Sequence, residues 1–420
     1  MSLMIRDAKV YIGSQFVDRD LIIADDNIFA IDKQNQEYVL HLDHGKLFEK
    51  KTNIINNSNP RVIYLDNSFV LPSFSDVHVH FRQPGYEYKE TIKTGSMAAA
   101  KGGYTSVCTM PNLKPAPSNL EALNVQLDII KRDSVIDIIP YGSITKDQSG
   151  RGTLSDMESL RDYVIAYTDD GFGLQKTELM REAMIKAKEL GKLIVAHCED
   201  ESLLAKGDIR GSEWKQIERD IKLCDEIGCS YHVCHISTKE SVELIRDAKK
   251  SGVDISCETA PHYLLLNREM IISDTGKFKM NPPIKDKEDQ MALIEGLNDG
   301  TIEIIATDHA PHSHEEKSRG YERSLNGIVG LEVAFPMLYT KLVRPGKVSF
   351  DVLIRAMSEN PRKRFDIDDQ GLVILDLNRE YKINSDEFLS KGKSTPFDGE
   401  LVNGETVMTI LRGEIVYEKR

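Results

Sequence analysis

The sequence lacks the segments that would place the protein in a membrane or in an oxidising compartment. None of its apolar runs approaches the length of a membrane span, and residues 1–7 lack the apolar stretch of a signal peptide. The six cysteines include no Cys-X-X-Cys pair and no dense cluster, which is typical of a reducing cytosol. We therefore expect a cytoplasmic protein that has no membrane partner.

An excess of positive charge is also absent. The chain has 54 Lys and Arg against 67 Asp and Glu, a formal net charge of −13, and no long basic run. Because nucleic acids attract basic surfaces, we expect no nucleic-acid partner. What is present is an ordinary globular composition, 40% hydrophobic and 29% charged over 420 residues, which is enough for one large domain and a smaller one.

From residue 71 onward, strand-like runs alternate with helical patterns, which is typical of a parallel α/β sheet. Helices are predicted at 178–190, 239–250 and 287–297. Eight strands are predicted at about 74–80, 105–110, 136–144, 164–169, 193–198, 231–236, 253–258 and 302–308. Eight such units favour a (β/α)8 TIM barrel. An open doubly wound sheet is the alternative, but no Gly-X-Gly-X-X-Gly follows the first strand.

Both ends of the chain are rich in strand-like segments. Short apolar runs alternate with polar turns over residues 1–72, and strand-like segments return after Pro361. We expect residues 1–72 and 362–420 to form one small composite β-sandwich, and residues 73–361 to form the barrel. Residues 33–60 are polar and rich in Asn and Lys, so we expect a surface excursion there.

His78 and His80 close the first predicted barrel strand. Residues i and i+2 of a strand face the same side, so the two imidazoles lie side by side. Neutral imidazole suits zinc and similar divalent ions, although either histidine alone could be a hydrogen-bonded core residue. In a continuing strand, Arg82 would face the same side. Catalytic residues of a barrel gather at the carboxyl ends of its strands, so the other strand ends decide between these interpretations.

The other strand ends add carboxylates and histidines to the same rim. They carry Asp169, Asp170, His197, His232, His235 and Asp308. An Asp-Asp-Gly is usually a turn, and His232 and His235 are three residues apart, so only one of them can face inward. Taken together, the set predicts two divalent cations that share a carboxylate. Such a pair, ~3.5–4 Å apart, polarises a carbonyl and holds a bridging hydroxide.

Seven segments resemble, in order, the motifs of a known enzyme family. They are VLPSFSDVHVHFRQPG at 70–85, MPN at 110–112, TDDG at 168–171, AHCE at 196–199, HVCHIST at 232–238, NPP at 281–283 and ATDHAPH at 306–312. The family is that of the cyclic amidohydrolases, and within it the chain most resembles the dihydroorotases of the long bacterial type. The resemblance extends from Val70 to Leu342. It implies a metal-dependent barrel with a β-sandwich built from both termini.

The resemblance also implies a role for each matched residue. Six would hold the metals: His78, His80, Asp170, His197, His235 and Asp308. Asp170 would bridge the two ions, and Asp308 would also serve as the general base and then as the acid. Six would contact the substrate: Arg82, Asn112, Asn281, His312, and the backbone around Asn326 and Gly327. Of these, Arg82, Asn112 and His312 would bind its carboxylate.

The implied reaction is the reversible cyclisation of N-carbamoyl-L-aspartate to L-dihydroorotate and water, in de novo pyrimidine (UMP) biosynthesis. The resemblance implies one or two Zn²⁺ per chain, most simply two. It also implies a homodimer and a possible association with aspartate carbamoyltransferase.

The chain departs from its relatives in three places. Many of them bridge their metals with a modified lysine after strand 4, whereas this strand ends in Asp169-Asp170 and the nearest lysine is Lys176. The stretch from 197 to 235 is short, and Asn326-Gly327 stands where the family has Phe-Gly, which predicts a more polar wall.

Two alternatives remain open at this stage. The first is another cyclic amidohydrolase, such as a dihydropyrimidinase, hydantoinase or allantoinase. The neutral rings that these enzymes open have no carboxylate for Arg82 to bind. The second is a non-catalytic dihydroorotase-like scaffold for aspartate carbamoyltransferase. A scaffold of that kind need not keep an intact set of metal ligands.

Overall fold

A computed structural model describes residues 2–24, 27–52, 61–64, 68–271, 273–368 and 371–419. The strands before the barrel are β1 (Ser2–Ile12), β2 (Gln15–Ala24), β3 (Asn27–Ile31), β4 (Glu37–Asp43), β5 (Lys46–Lys51), β6 (Arg61–Tyr64) and β7 (Ser68–Pro72). The barrel strands are β8 (Phe74–Val79), β9 (Tyr104–Thr109), β10 (Asp137–Pro140), β11 (Gly142–Ser143), β12 (Tyr167–Thr168), β13 (Ile194–Ala196), β14 (Tyr231–Val233), β15 (Ile255–Thr259) and β16 (Ile304–Ile305). The strands after it are β17 (Gly371–Lys382), β18 (Leu401–Leu411) and β19 (Glu414–Glu418).

The helices lie between the barrel strands and after them. They are α1 (Ile92–Lys101), α2 (Leu120–Asp133), α3 (Met157–Leu160), α4 (Thr177–Glu189), α5 (Glu201–Leu204), α6 (Ile209–Ile227), α7 (Lys239–Lys250), α8 (Pro261–Leu265), α9 (Lys287–Asn298), α10 (His314–Lys317), α11 (Gly320–Arg323), α12 (Ala334–Leu338), α13 (Phe350–Ile354) and α14 (Asn360–Phe365). Short 3₁₀ turns cover Arg268–Met270, Gly276–Phe278 and Ser385–Glu387, and π turns cover Tyr339–Val343 and Arg355–Glu359. Among these helices, none has both the length and the apolar character needed to cross a bilayer.

The barrel is a ring of parallel strands. β10, β9 and β8 pair in one sheet and β11 to β16 pair in chain order in another. The two sheets join at Tyr141, whose N–H donates to the Thr109 carbonyl at 3.1 Å. The ring closes where Val79 pairs with His309, and where the N–H of His80 donates to the His309 carbonyl at 2.8 Å. All residues of β8 and β9 are buried, as expected of parallel strands with both faces covered.

The predicted barrel elements are confirmed, with small shifts at their ends. The three predicted helices correspond to α4, α7 and α9. α7 begins where the predicted pattern begins, because the Thr238 side chain accepts a hydrogen bond from the Ser241 N–H and caps the helix. Each of the eight predicted strands is present, the third as β10 and β11 on either side of Tyr141.

Both ends of the chain join one sheet, in the order β19-β18-β17-β7-β1-β2-β3-β4-β5, with β6 also paired to β1. β17 pairs antiparallel with β7, so that Leu372 lies opposite Pro72. Leu47 of β5 and Ile374 of β17 belong to the same buried cluster although their strands are far apart in the sheet order. The sheet therefore folds over its own core, as a sandwich does. The division of the chain after residues 72 and 361 stays a prediction.

The expectation of a surface excursion over residues 33–60 is wrong for residues 33–52. β4 and β5 form a hairpin within it, and Leu40, Leu42 and Leu47 lie in the core of the sheet. Leu40 and Leu42 alternate in β4, and Leu47 lies opposite Leu42 in β5, which is enough to fix one buried face although the segment is polar on average. Residues 53–60 lie outside the described residues.

Candidate metal centre and active site

Six side chains converge at the carboxyl ends of five barrel strands. They follow or close β8, β12, β13, β14 and β16, and they are His78, His80, Asp170, His197, His235 and Asp308. None of the six is more than 6% exposed. The six residues that the sequence predicts as metal ligands therefore lie in one buried cluster.

Asp170 and Asp308 stand at the centre of this cluster. Nε2 of His78 lies 3.4 Å from Oδ1 of Asp170 and 3.5 Å from Oδ1 of Asp308. Nε2 of His80 lies 3.0 Å from the same Asp308 oxygen. Within this cluster, two groups of three have ligand atoms close enough to share an ion: His78, His80 and Asp308, and His78, Asp170 and His235.

His197 approaches from the other side. Its Nδ1 lies 2.9 Å from Nε2 of His235, and these two nitrogens lie 3.6 and 3.4 Å from Oδ1 of Asp170. The arrangement gives Asp170 contact with histidines of three strands. A carboxylate in that position can bridge two ions.

The side chains of the cluster fit a divalent cation, because two of their polar atoms have no partner among the described residues and a cation would supply one. Nε2 of His78 and Oδ1 of Asp170 are buried and have no hydrogen-bond partner within the described part of the chain. Buried polar atoms are almost always satisfied, because leaving them unpaired costs free energy. The donor set of imidazole nitrogens and carboxylate oxygens is the one that zinc and similar metals bind. A cation would satisfy both orphaned atoms.

Glu258 of β15 orients His78, and the sequence did not point to it. Its Oε1 lies 2.5 Å from Nδ1 of His78. Because a carboxylate can only accept a hydrogen bond, Nδ1 of His78 carries a proton, and a metal would bind Nε2 through the lone pair that is free once the Nε2 proton is lost. Burial opposes ionisation of Glu258, but the charges and hydrogen bonds of His78 and His232 outweigh it and hold the pKa of Glu258 at about 2.

The Glu258 carboxylate also contacts His232, which accounts for the position of that ring. Nε2 of His232 lies 3.1 Å from Oε2 of Glu258, and its Nδ1 lies 2.7 Å from the Ser256 hydroxyl. His232 is therefore the structural member of the pair that the sequence left open, and His235 is the one in the cluster. Ser256 and Glu258 alternate in β15. That i, i+2 spacing is a signal that could have indicated them.

Asp169 and Asp170 have different surroundings. Asp169 accepts hydrogen bonds from the N–H groups of Ile144, Thr145 and Gly150, at 2.8 to 3.0 Å, and so fixes the loop after β11. From that loop, the Gln148 amide donates to the Asp170 carbonyl at 2.7 Å. Asp169 thus supports the backbone around Asp170 without reaching the cluster itself.

A cavity of about 250 Å³ opens onto the cluster, and all six predicted substrate contacts line it. Arg82 is not placed there by strand alternation, because β8 ends at Val79 and Arg82 has a left-handed φ of 59°. Its Nε donates weakly to the Pro311 carbonyl at 3.4 Å. Within the described residues no carboxylate lies within 4.0 Å of its guanidinium. This cation therefore has its hydrogen-bonding fork available to a ligand.

The amide orientations of Asn112 and Asn281 are fixed by neighbours. Nδ1 of His80 donates to Oδ1 of Asn112 at 3.0 Å, which leaves the Asn112 NH₂ group for the cavity. Nδ2 of Asn281 donates to Glu199 at 2.8 Å, which leaves its carbonyl oxygen for the cavity. Glu199 is a second residue that the sequence did not point to, although it lies in the AHCE motif beside His197.

His312 lines the cavity, but both of its ring nitrogens contact the protein. Nε2 donates to the Asn326 carbonyl at 2.7 Å, and Nδ1 lies 3.3 Å from Nζ of Lys89. Burial and the charges of Arg82 and Lys89 lower the pKa of His312 to about 3, so the ring is neutral. Binding of a carboxylate by His312 stays a prediction, and it requires the ring to release one of these partners.

Gly327 closes the wall beside His312. Its φ is +131°, and a Cβ at this position would lie 2.6 Å from the Ala310 carbonyl oxygen. Only glycine fits there without displacing the backbone. The backbone of Asn326 and Gly327 is thus held against the cavity, in the position that the sequence resemblance implies.

Comparison with known proteins agrees with this geometry. A family model described as "Dihydro-orotase-like" matches residues 67–241. A protein named dihydroorotase from Fusobacterium nucleatum subsp. nucleatum is 46% identical over 99% of this chain and 98% of its own length. Proteins of the same name from Bacillus cytotoxicus and Macrococcus caseolyticus are 44% and 40% identical, over 90% and 100% of this chain and 94% and 99% of their own lengths.

Two solved structures share the fold. The L-hydantoinase (dihydropyrimidinase) from Arthrobacter aurescens matches with a TM-score of 0.83 at 25% identity, covering 99% of this chain and 96% of that one. The dihydropyrimidinase from Brevibacillus agri matches with a TM-score of 0.83 at 22% identity, covering 100% and 95%. The predicted barrel with an added sheet is therefore confirmed.

Proposed function

The chain belongs to the dihydroorotase family, and on that premise we propose that it catalyses the reversible cyclisation of N-carbamoyl-L-aspartate to L-dihydroorotate and water. The reaction is a step of de novo pyrimidine biosynthesis. The observation that carries the proposal is the Arg82 guanidinium, which lines the same cavity as five of the six clustered side chains and has no carboxylate partner among the described residues. Relatives that are 40% to 46% identical over nearly the whole chain have the dihydroorotase name.

We propose that the cluster holds two zinc ions. His78, His80 and Asp308 would hold the more buried ion, His197 and His235 the other, and Asp170 would bridge them. When bound, divalent zinc lowers the pKa of water to about 7 and stabilises negative charge that develops on a carbonyl oxygen. The two orphaned atoms, Nε2 of His78 and Oδ1 of Asp170, support this assignment.

Asp308 is suited to move the proton. Burial raises its pKa, but the hydrogen bond with His80 and the charge of His78 lower it more, so the pKa of Asp308 lies below its ordinary value. In ring opening, an ionised Asp308 takes a proton from the attacking water. It then gives that proton to the ring nitrogen, which leaves poorly without one. In ring closure the same carboxyl group transfers the proton in the opposite direction.

The chain's polar groups select and orient the substrate. The Arg82 fork matches the two oxygens of the exocyclic carboxylate, and the Asn112 NH₂ group adds a donor. The Asn281 carbonyl and the backbone at 326–327 are placed to meet the polar edge of the ring. Positioning these groups in advance contributes to the rate, because little reorganisation is needed during the reaction.

The two alternatives are less well supported. The two solved structures are named as a hydantoinase and a dihydropyrimidinase. At 22% to 25% identity they support the fold and do not identify the substrate. A neutral ring has no carboxylate for the Arg82 fork to bind. A non-catalytic scaffold has no need for orphaned polar atoms in a buried cluster, since such atoms lower stability. The homodimer, the association with aspartate carbamoyltransferase and the cytoplasmic location stay predictions.

A substrate panel tests the proposed function. The zinc-loaded protein is assayed for ring opening of dihydroorotate, dihydrouracil and allantoin under the same conditions. We expect kcat/KM for dihydroorotate to exceed that of either neutral ring by about 100-fold or more, as the loss of a charged hydrogen-bonding partner implies. A preference for dihydrouracil or allantoin would transfer the assignment to that activity. No turnover of any ring would favour the scaffold.

A further inference from the structure

A second cavity lies behind the wall of the active site. Its volume is about 530 Å³, and it lies between the segment 312–318 and the segment 384–398. His312 lines both this cavity and the active-site cavity. We call it the lysine cavity, because Lys277, Lys317, Lys391 and Lys393 line it against two aspartates, Asp386 and Asp398.

The charges of this cavity are unbalanced. Lys277 pairs with Asp398 at 3.2 Å. Lys317, Lys391 and Lys393 have no carboxylate within 4.0 Å in the described part of the chain, and their ammonium groups donate to main-chain carbonyls. A carbonyl satisfies a hydrogen bond but does not neutralise the charge. In a chain with a net charge of −13, a concavity lined by four lysines against two aspartates is an exception.

Further features favour an anion. Ser394 is one of the residues that line the cavity, and its buried Oγ has no hydrogen-bond partner among the described residues. Burial and the charge of Lys279 lower the pKa of Lys317 to about 7. An anion beside this amine would stabilise its charged form. Hydroxyl and ammonium donors around a concave surface are the groups that bind carboxylate and phosphate.

Lys317 also connects the cavity to the active site. Its Nζ donates to the Leu325 carbonyl at 2.7 Å and to the Lys279 carbonyl at 3.0 Å. Leu325 lines the active-site cavity, and the Lys279 carbonyl also accepts from the Gly327 N–H at 3.0 Å. One ammonium group therefore holds both sides of the wall that carries Asn326 and Gly327.

We propose that the lysine cavity binds a small polyanion of the carboxylate or phosphate class, and that its occupancy changes substrate binding through the shared wall. The anion interacts with the ammonium groups of Lys391 and Lys393, and its charge acts on Lys317. This site is separate from the substrate carboxylate site at Arg82.

Direct binding tests the site. Inorganic phosphate and succinate are titrated calorimetrically into the zinc-loaded protein at constant ionic strength, which also shows which of the two anion classes is preferred. The Lys391→Gln/Lys393→Gln variant removes two cations of the cavity. The matched control is Lys50→Gln/Lys51→Gln, which removes two exposed cations at the end of β5. The single variant Lys393→Gln serves if the double variant does not fold.

We expect saturable binding of at least one anion by the natural chain and by the control. The cavity variant should bind it about tenfold more weakly or worse, as expected for lost charge-assisted hydrogen bonds. Absence of saturable binding, or equal binding by all variants, would overturn the proposal. So would binding that survives in the cavity variant and disappears in Arg82→Met, because it would place the anion in the active site.

The effect of the bound anion on substrate binding is measured separately, through KM. At saturating anion and constant ionic strength, KM for dihydroorotate should shift by about twofold or more in the natural chain and stay constant in the cavity variant. A shift of equal size in both would contradict coupling through the wall. Calorimetry does not use the reaction, so a failure of the proposed activity and a failure of this site are distinguishable.

Discussion

At the scale of single residues, the site depends on buried carboxylates that hold a histidine ring or a loop in one orientation. Glu258 holds the proton on Nδ1 of His78, and Asp169 holds the loop that supports Asp170. The sequence motifs contain the ligands themselves, since a ligand's residue type is dictated by its chemistry. Glu258 lies outside every quoted motif. Its role depends on its neighbours across the barrel, and a single sequence does not contain that information.

Replacing Glu258 tests the orientation of His78. Glu258→Gln keeps the size of the side chain but removes the charge that fixes the tautomer, so metal affinity or kcat/KM should fall about 10- to 100-fold. The control is Glu213→Gln, another buried carboxylate, which accepts from the Ser237 and Thr238 N–H groups and supports α7. The control should lower stability and leave metal affinity intact. Wild-type zinc affinity and kcat/KM in Glu258→Gln would refute the role.

Substitutions of Asp169 and Asp170 should have different effects, one on stability and the other on metal binding. Asp170→Ala should lose the second metal and nearly all activity. Asp169→Ala should lower the melting temperature, because three buried N–H groups lose their acceptor at about 1–3 kcal/mol each. It should retain more metal than Asp170→Ala. Elemental analysis and thermal melts check both, and the reverse order of metal loss would mean that Asp169 is the bridge.

Arg82 should determine substrate choice. Arg82→Met keeps much of the stem and removes the fork, so kcat/KM for dihydroorotate should fall roughly 10²- to 10⁴-fold. Metal content should stay unchanged, because Arg82 is not a ligand, and any turnover of a neutral ring should change little. Wild-type kcat/KM on dihydroorotate would mean that the carboxylate is held elsewhere. The case against the neutral-ring amidohydrolases would then be lost.

At the scale of elements, the sequence predicts the barrel better than the outer sheet. Strong alternation of strand and helix patterns located β8, α7 and α9, because each has a regular apolar period and clear end signals. The β4–β5 hairpin was missed, because its polar face dominates the average composition. Arg82 lines the cavity, but a left-handed turn after β8, and not the continuing strand that the sequence predicts, carries it there.

Helix α8 carries a buried titratable group that should affect stability at low pH. Burial lowers the pKa of His262 from 6.5 to about 4. Between these values the unfolded chain binds more protons than the folded one, so stability falls as the pH drops from 6.5 to 4. Between pH 7 and pH 5 the loss is about 2 kcal/mol. His262→Phe should show a correspondingly smaller loss in urea unfolding.

The control for that measurement is His41→Phe, which replaces an exposed histidine of β4. It should keep the full pH dependence of the natural chain. If His262→Phe and His41→Phe lose equal stability between pH 7 and pH 5, His262 is not the group that responds.

At the scale of the whole molecule, the chain returns after the barrel to complete the sheet that it began. β17 lies beside β7 and so joins residues about 300 positions apart. This arrangement is predictable from the sequence, because both ends have strand-like patterns and they flank the barrel. Which strands pair was not predictable, since the register depends on packing between segments that are remote in sequence.

Zinc titration tests the central claim, that this fold supports a metal-dependent dihydroorotase. The protein is depleted with a chelator, and ring opening of dihydroorotate is followed as zinc is restored. We predict little activity in the depleted protein, and a rise that saturates at one to two equivalents per chain, most simply two. Full activity with less than about half an equivalent of any divalent metal would contradict the claim.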